Sequence, residues 1–156
     1  MSSILSLDFS SAHCAGSNVS LFINHVTKPL KMDQEYFYGS AVSHLTINDA
    51  YLEQFTTDSF LNVHQNATIQ IMNSQIEGRS SKKGVIPLKI KSIDFINNKM
   101  LEIYRDTIFV EASEYVKFDG CDLKVNSEDL IRITANKVFI RNSNLRLNSK
   151  RKHIFQ

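Results

Sequence analysis

The sequence predicts an all-β solenoid of about five to six coils, and three observations lead there. An ungapped segment recurs five times: LTINDAYL (Leu45–Leu52), IQIMNSQI (Ile69–Ile76), IDFINNKM (Ile93–Met100), VKFDGCDL (Val116–Leu123) and VFIRNSNL (Val138–Leu145), at spacings of 24, 24, 23 and 22 residues. A fixed period in this range marks a stack of repeated units, each too small to bury its own apolar face. Positions 1, 3 and 8 are apolar in every copy, and alternation at 1 and 3 is the period of a half-buried strand, not of a helix. Position 5 reads Asp49, Asn73, Asn97, Gly120 and Asn142, the residue types that enter the left-handed region at least cost.

Each element follows from that unit. An apolar–x–apolar start followed by one left-handed residue makes a short strand and a sharp bend, and the chain then leaves in a new strand direction. Position 6 (Ala50, Ser74, Asn98, Cys121, Ser143) is small or short and fits inside a corner, whereas position 7 (Tyr51, Gln75, Lys99, Asp122, Asn144) suits solvent. A third strand is expected from Leu61–Val63, Leu88–Ile90, Ile108–Val110 and Ile131–Ile133. Leu88–Ile90 falls only three residues before Ile93, behind the loop Gly78–Gly84 (GRSSKKG), so that coil is expected to be irregular. Leu45, Ile69, Ile93, Val116 and Val138 should form one inward column on parallel strands. Asn73, Asn97 and Asn142 should have positive φ, and Phe118 and Ile140 should lie in the core.

The ends depart from the repeat. Leu21 and Ile23 lie 24 residues before Leu45 and Ile47, so a degraded coil is expected there, with Lys28 where an apolar residue belongs. Residues 1–41 are read as an irregular cap containing that coil, residues 42–149 as the repeats, and residues 150–156 as a basic tail. A bare terminal coil exposes backbone edge and apolar core. The tail is short for a cap, so the chain is expected to belong to a longer one, to oligomerise, or to dock through its C-terminal end. The start (MSSILSLDFSSAHCAG) lacks the basic head and continuous apolar core of an export signal.

With an apolar–x–apolar strand, an Asn at the bend and a further strand, the repeat resembles the right-handed parallel β-helix of the pectin-lyase-like superfamily. ITANKVFIRNSNL (Ile133–Leu145) and FVEASEYVKFDGCDL (Phe109–Leu123) carry the resemblance best. It implies stacked three-strand coils and no particular activity, since that superfamily hosts lyases, hydrolases, adhesins and inert scaffolds. The alternative is a leucine-rich repeat, whose spacing fits Ile90, Ile93, Phe95, Asn98, Met100 and Ile103, but whose first leucine would fall on Asn66, Ser113 and Ala135 in other units.

Composition narrows the function. The 156 residues suffice for one domain, and 18 Lys+Arg against 16 Asp+Glu leave +2, which points to neither nucleic acid nor an anionic membrane. No apolar run approaches the ~18 residues of a membrane span. Two cysteines, Cys14 and Cys121, fit neither a disulfide scaffold nor a zinc spacing, and the five histidines show no ligand spacing. No metal or cofactor is expected.

Positions 2 and 4 point outward in columns, and the last three coils put Asp94, Lys117, Asp119 and Arg141 on one face. In polysaccharide enzymes of the resembled superfamily such groups bind and cleave acidic sugars, with Asp as acid or cation ligand and Lys or Arg acting on the substrate. The plainer reading is an alternating-charge ladder that keeps the face soluble and in register. The position 5 column is read as a structural amide ladder. Two glycosylation sequons, at Asn18 and Asn66, agree with an extracellular protein. The reading is a non-enzymatic scaffold or recognition module that binds protein or glycan through a long sheet face. A pectin-lyase-type lyase or hydrolase and a leucine-rich-repeat binding domain are the alternatives.

Overall fold

The computed structural model describes residues 19–32, 42–60, 63–78, 86–104, 107–125 and 131–147. Cys14, the Asn18 sequon, the basic loop Arg79–Lys83 and the basic tail lie outside them. The strands are β1 (Val19–Asn24), β2 (Leu30–Lys31), β3 (Val42–Asn48), β4 (Tyr51–Phe55), β5 (Thr68–Met72), β6 (Gln75–Gly78), β7 (Leu88–Ile96), β8 (Lys99–Ile103), β9 (Ile108–Asp119), β10 (Asp122–Val125), β11 (Ile131–Arg141) and β12 (Asn144–Leu147). Odd-numbered strands form one six-stranded sheet in chain order, and even-numbered strands form a second. Every pair is parallel. The architecture is a parallel β-helix. The only helical segment among the described residues is the short 3-10 turn Thr57–Phe60, so they lack the helix per repeat that a leucine-rich repeat needs.

Register follows the sequence period. Leu21, Leu45, Ile69, Ile93, Val116 and Val138 are successive partners in the odd sheet. Position 8 supplies the second inward column: Leu30, Leu52, Ile76, Met100, Leu123 and Leu145. In the first coil Leu30 takes the place expected of Lys28, because the turn after Val26 is two residues longer there. The stack amounts to about four turns, against the five to six expected. Among the described residues its first coil contributes a six-residue β1 and a two-residue β2.

The expected third strand is not separate. Leu88–Ile90, Ile108–Val110 and Ile131–Ile133 run on into the next first strand, which makes β7, β9 and β11 9, 12 and 11 residues long. A bulge in β9 at Ser113–Glu114 absorbs the unequal spacings: Ile90 pairs with Ala112 and Ser92 with Tyr115, and Ala135 and Lys137 repeat the pattern. Leu88 therefore pairs with Val110 rather than with Ile108. Of Leu61–Val63, only the buried Val63 is described. The loop expected to make one coil irregular falls on residues 79–85, outside the described ones. Thr57 donates its backbone N–H to Thr107 O (2.9 Å), while its hydroxyl accepts from Phe109 N–H (2.9 Å). Gly78 sits where a Cβ would lie 2.6 Å from Glu102 O, so this close approach admits no side chain.

The core is a filled tube. Phe95 and Phe118 stack with centroids 4.9 Å apart, nearly parallel, and are 0% and 1% exposed. Phe55 packs on Phe60 beneath the 3-10 turn. The last coil differs: Val138, Ile140 and Leu145 are 46%, 50% and 38% exposed, because no described coil lies below them. Ile140 is thus not the core residue expected of position 3, although it pairs with buried Phe118. Phe118→Ala should cost about 3–5 kcal/mol through lost transfer energy and a cavity that its stacked neighbour cannot fill. Ile140→Ala should cost less than half as much, and urea unfolding of the two variants checks the difference.

Candidate functional site

The site is built on the bends. Asp49, Asn73, Asn97 and Asn142 have φ of 53°, 50°, 52° and 49°, and Gly120 has 67°; His25 continues the column with 52°. The backbone N–H of each of the first five bend residues in this column donates to a carbonyl of the following coil, as from Asn73 to Ile96 O (2.9 Å). Side chains knit the same corner. Asn48 Nδ2 donates to Asn24 Oδ1 (2.8 Å), Asn73 Nδ2 to Asn48 Oδ1 (2.8 Å) and Asn97 Nδ2 to Asn73 Oδ1 (3.4 Å). The ladder stops at Gly120, whose missing Cβ would lie 2.3 Å from Asn97 Oδ1. It resumes with Asn142 Nδ2 donating to Asp119 Oδ1 (3.2 Å).

A second ladder runs inside the corner at position 6. Ala50 N–H donates to Ser74 Oγ (3.1 Å), Ser74 N–H to Asn98 Oδ1 (2.9 Å) and Cys121 N–H to Ser143 Oγ (3.0 Å). The same side chains turn back to bend carbonyls: Ser74 Oγ to Met72 O, Asn98 Nδ2 to Ile71 O and Ser143 Oγ to Arg141 O, each 2.7 Å. Cys121 holds the equivalent place with its thiol 3.2 Å from Phe95 O. It is free and buried, and burial pushes its pKa up, partly opposed by backbone contacts with Asn98 and Asp119. A raised pKa keeps it a thiol, a weak nucleophile. The sequence places position 6 inside the corner but does not reveal this hydrogen bonding, since Ala50 and Cys121 interrupt the run of obvious polar groups.

The four candidate residues share one sheet face, but not as a cleft. Asp94 is opposite Lys117, and Asp119 is opposite Arg141. The ammonium of Lys117 lies 3.3 Å from Asp119 Oδ2. The hydrogen bond from Asn142 and then the charge of Lys117 hold the Asp119 carboxyl below its ordinary range. A carboxylate so held does not serve as a general acid near neutral pH. Asp94 is buried, 6% exposed, accepting from Tyr115 OH (3.3 Å) and Gln70 Nε2 (3.4 Å). Arg141 lies over the Phe139 ring at 5.2 Å, and Phe139 meets Tyr115 edge-on at 6.0 Å. Tyr115 is the residue that sequence reading missed, because it stands immediately before the eight-residue unit.

A groove of about 490 Å³ runs beside β3, β5, β7 and β9 and is lined by His44, His64, Asn66, Lys91 and Glu114 among others. His64 Nδ1 accepts the Asn66 backbone N–H (3.1 Å). Lys91 pairs with Glu114 at 3.4 Å. The Asn66 sequon lies in an exposed turn at this groove. Among the described residues, no three His, Cys, Asp or Glu side chains gather as metal ligands. None of their helices is long and apolar enough to cross a membrane.

The bend ladder predicts a coupling. Gly120→Ala should destabilise by about 1–3 kcal/mol, through strain at positive φ and collision with Asn97 Oδ1. Asn97→Gly in the same chain should relieve part of that cost, which a double-mutant cycle by urea unfolding measures. At another corner Tyr51 donates to Glu77 Oε2, and this bond, with some burial, pushes the phenol up to about 12 from its ordinary 10.0. The folded state therefore keeps a proton that the unfolded chain loses. The stabilisation is complete below pH 10 and disappears as pH rises through about 12. Tyr51→Phe should flatten the fall of unfolding free energy across that interval.

No known protein family, curated protein or solved structure matches this chain.

Proposed function

We propose that this chain is a non-enzymatic recognition module, a β-helix of the pectin-lyase-like kind, which works outside the cell and binds a protein or glycan through the outer face of its odd-numbered sheet. The observation that supports this most is the use its charged residues make of one another. Lys117 is engaged with Asp119, Asp119 with Asn142, and Asp94 is buried beneath Tyr115. A glycosidase needs two carboxylates in different protonation states, facing a common space. A lyase needs a free base, and among the described residues of this face Asp94 and Asp119 are engaged by Tyr115, Lys117 and Asn142. Beside those charges it offers Thr46 on β3, Gln70 and Met72 on β5, Ile96 on β7 and Phe139 on β11, mixed polar and apolar, with Lys117 and Asp119 between them on β9. The extracellular assignment draws on the exposed Asn66 sequon.

The test uses the full chain against a panel of acidic and neutral polysaccharides and follows two readouts, retention in affinity electrophoresis and release of reducing or unsaturated ends. Retention without new ends is expected, weakened roughly tenfold when Met72→Lys and Ile96→Lys break the apolar part of the face. Released ends would favour the lyase or hydrolase reading, and absence of retention across the panel would turn the search to protein ligands.

A further inference from the structure

The last coil is built as though another followed. Its inward residues Val138, Ile140 and Leu145 stand in columns whose members in the central coils are at most 3% exposed. Asn142 repeats the left-handed bend, and its N–H is the counterpart of five that donate to a following coil. Among the described residues no strand lies on the outer edge of β11 or of β12.

Charge says what belongs there. Lys89 and Lys91 of β7 pair with Glu111 and Glu114 of β9, at 3.5 and 3.4 Å. Asp122 of β10 pairs with Arg146 of β12 at 2.8 Å. In these pairs, and in Asp94–Lys117 and Asp119–Arg141, the sign changes from one coil to the next, whereas Lys124 faces Arg146 with the same sign. Residues 131–147 carry Arg132, Lys137, Arg141 and Arg146 and no Asp or Glu. Residues 148–156, with Lys150, Arg151 and Lys152 and no Asp or Glu, have the same sign. A second copy fits no better, since its β1–β2 end (residues 19–32) carries Lys28 and Lys31 and again no carboxylate.

We propose that the open edge of β11 and β12 takes up an extended acidic segment of a partner protein as an added strand. Its alternate apolar side chains cover Val138 and Ile140, and the Asp or Glu residues between them face Lys137 and Arg141. Main-chain hydrogen bonds to the edge provide affinity, and the alternation provides specificity. This surface is the end of the stack, separate from the lateral face proposed to bind ligand, and does not depend on that reading.

The test titrates the full chain into labelled peptides of about eleven residues, matching β11, that alternate Val with Glu, Lys or Ser. Fluorescence anisotropy reads binding, and amide hydrogen exchange reads position. The Val–Glu peptide should bind at least roughly tenfold tighter than the Val–Lys peptide, lose affinity with salt, and slow exchange at Asn142. Lys137→Glu, at an exposed position, should leave the melting temperature near that of the parent chain and remove the preference for the Val–Glu peptide. Equal binding of the three peptides, protection confined to other strands, or no binding at all would overturn the proposal. So would self-association that protects the β11 edge in the absence of peptide.

Discussion

Parallel strands in successive coils sit about 4.8 Å apart, so whatever one coil puts at a corner must be tolerated by the same corner above and below. That spacing governs the molecule. A left-handed bend is stackable only if each copy uses a residue for which positive φ is cheap, hence Asp49, Asn73, Asn97, Gly120 and Asn142 in one line. Asn suits the line twice over, because its amide both donates and accepts and so can bond in both directions along the stack. Inside the corner the side chain at position 6 takes the amide hydrogen of the coil before it and returns its own hydrogen to a bend carbonyl. Backbone groups that a tight turn would strand in a dry interior are thereby satisfied.

The same spacing constrains charge. Equal charges stacked along a column repel at close range, and Lys89 with Glu111, Asp94 with Lys117 and Asp119 with Arg141 alternate in sign from coil to coil. Side chains that neutralise one another across 3–4 Å are poor candidates for catalysis, which needs a group whose proton is free to move. Asp119 illustrates this: its neighbours hold it ionised. Individually these exposed ion pairs contribute little stability. Their value is in fixing which coil lies on which.

Much of this was legible from residue types alone. The inward column from Leu45 to Val138, the positive φ at Asn73, Asn97 and Asn142, and the buried corner at Cys121 all follow from an eight-residue pattern, because they depend on local backbone geometry and on alternation. Features that depend on neighbouring coils were not. Ile140 has the sequence signature of Phe118 but not its burial, because burial needs a coil on both sides. Asp94 reads as an outward acid, yet Tyr115, just outside the repeat, covers it. The long strands β7, β9 and β11 stay in register through one extra residue at Ser113–Glu114, which periodicity treats as noise.

Those small irregularities bear on how such a chain tolerates insertion and deletion. Gln54 in β4 and Glu102 in β8 are extra residues with φ of 54° and 52°, where β6 and β10 run straight past. Against the 22-residue last period, the coil from Ile93 gains one residue at Glu102 and another in β9, and saves one in the turn Ile103–Ile108, arriving in register at Val116 after 23. The molecule thus counts alignment, not length. A single-residue gain or loss at a bulge or third-corner turn can be absorbed before the next bend. The same change between positions 1 and 5 of a repeat would turn every following inward side chain to the outer face. Sequence drift in length should therefore collect along one side of the rod, opposite the asparagine corner.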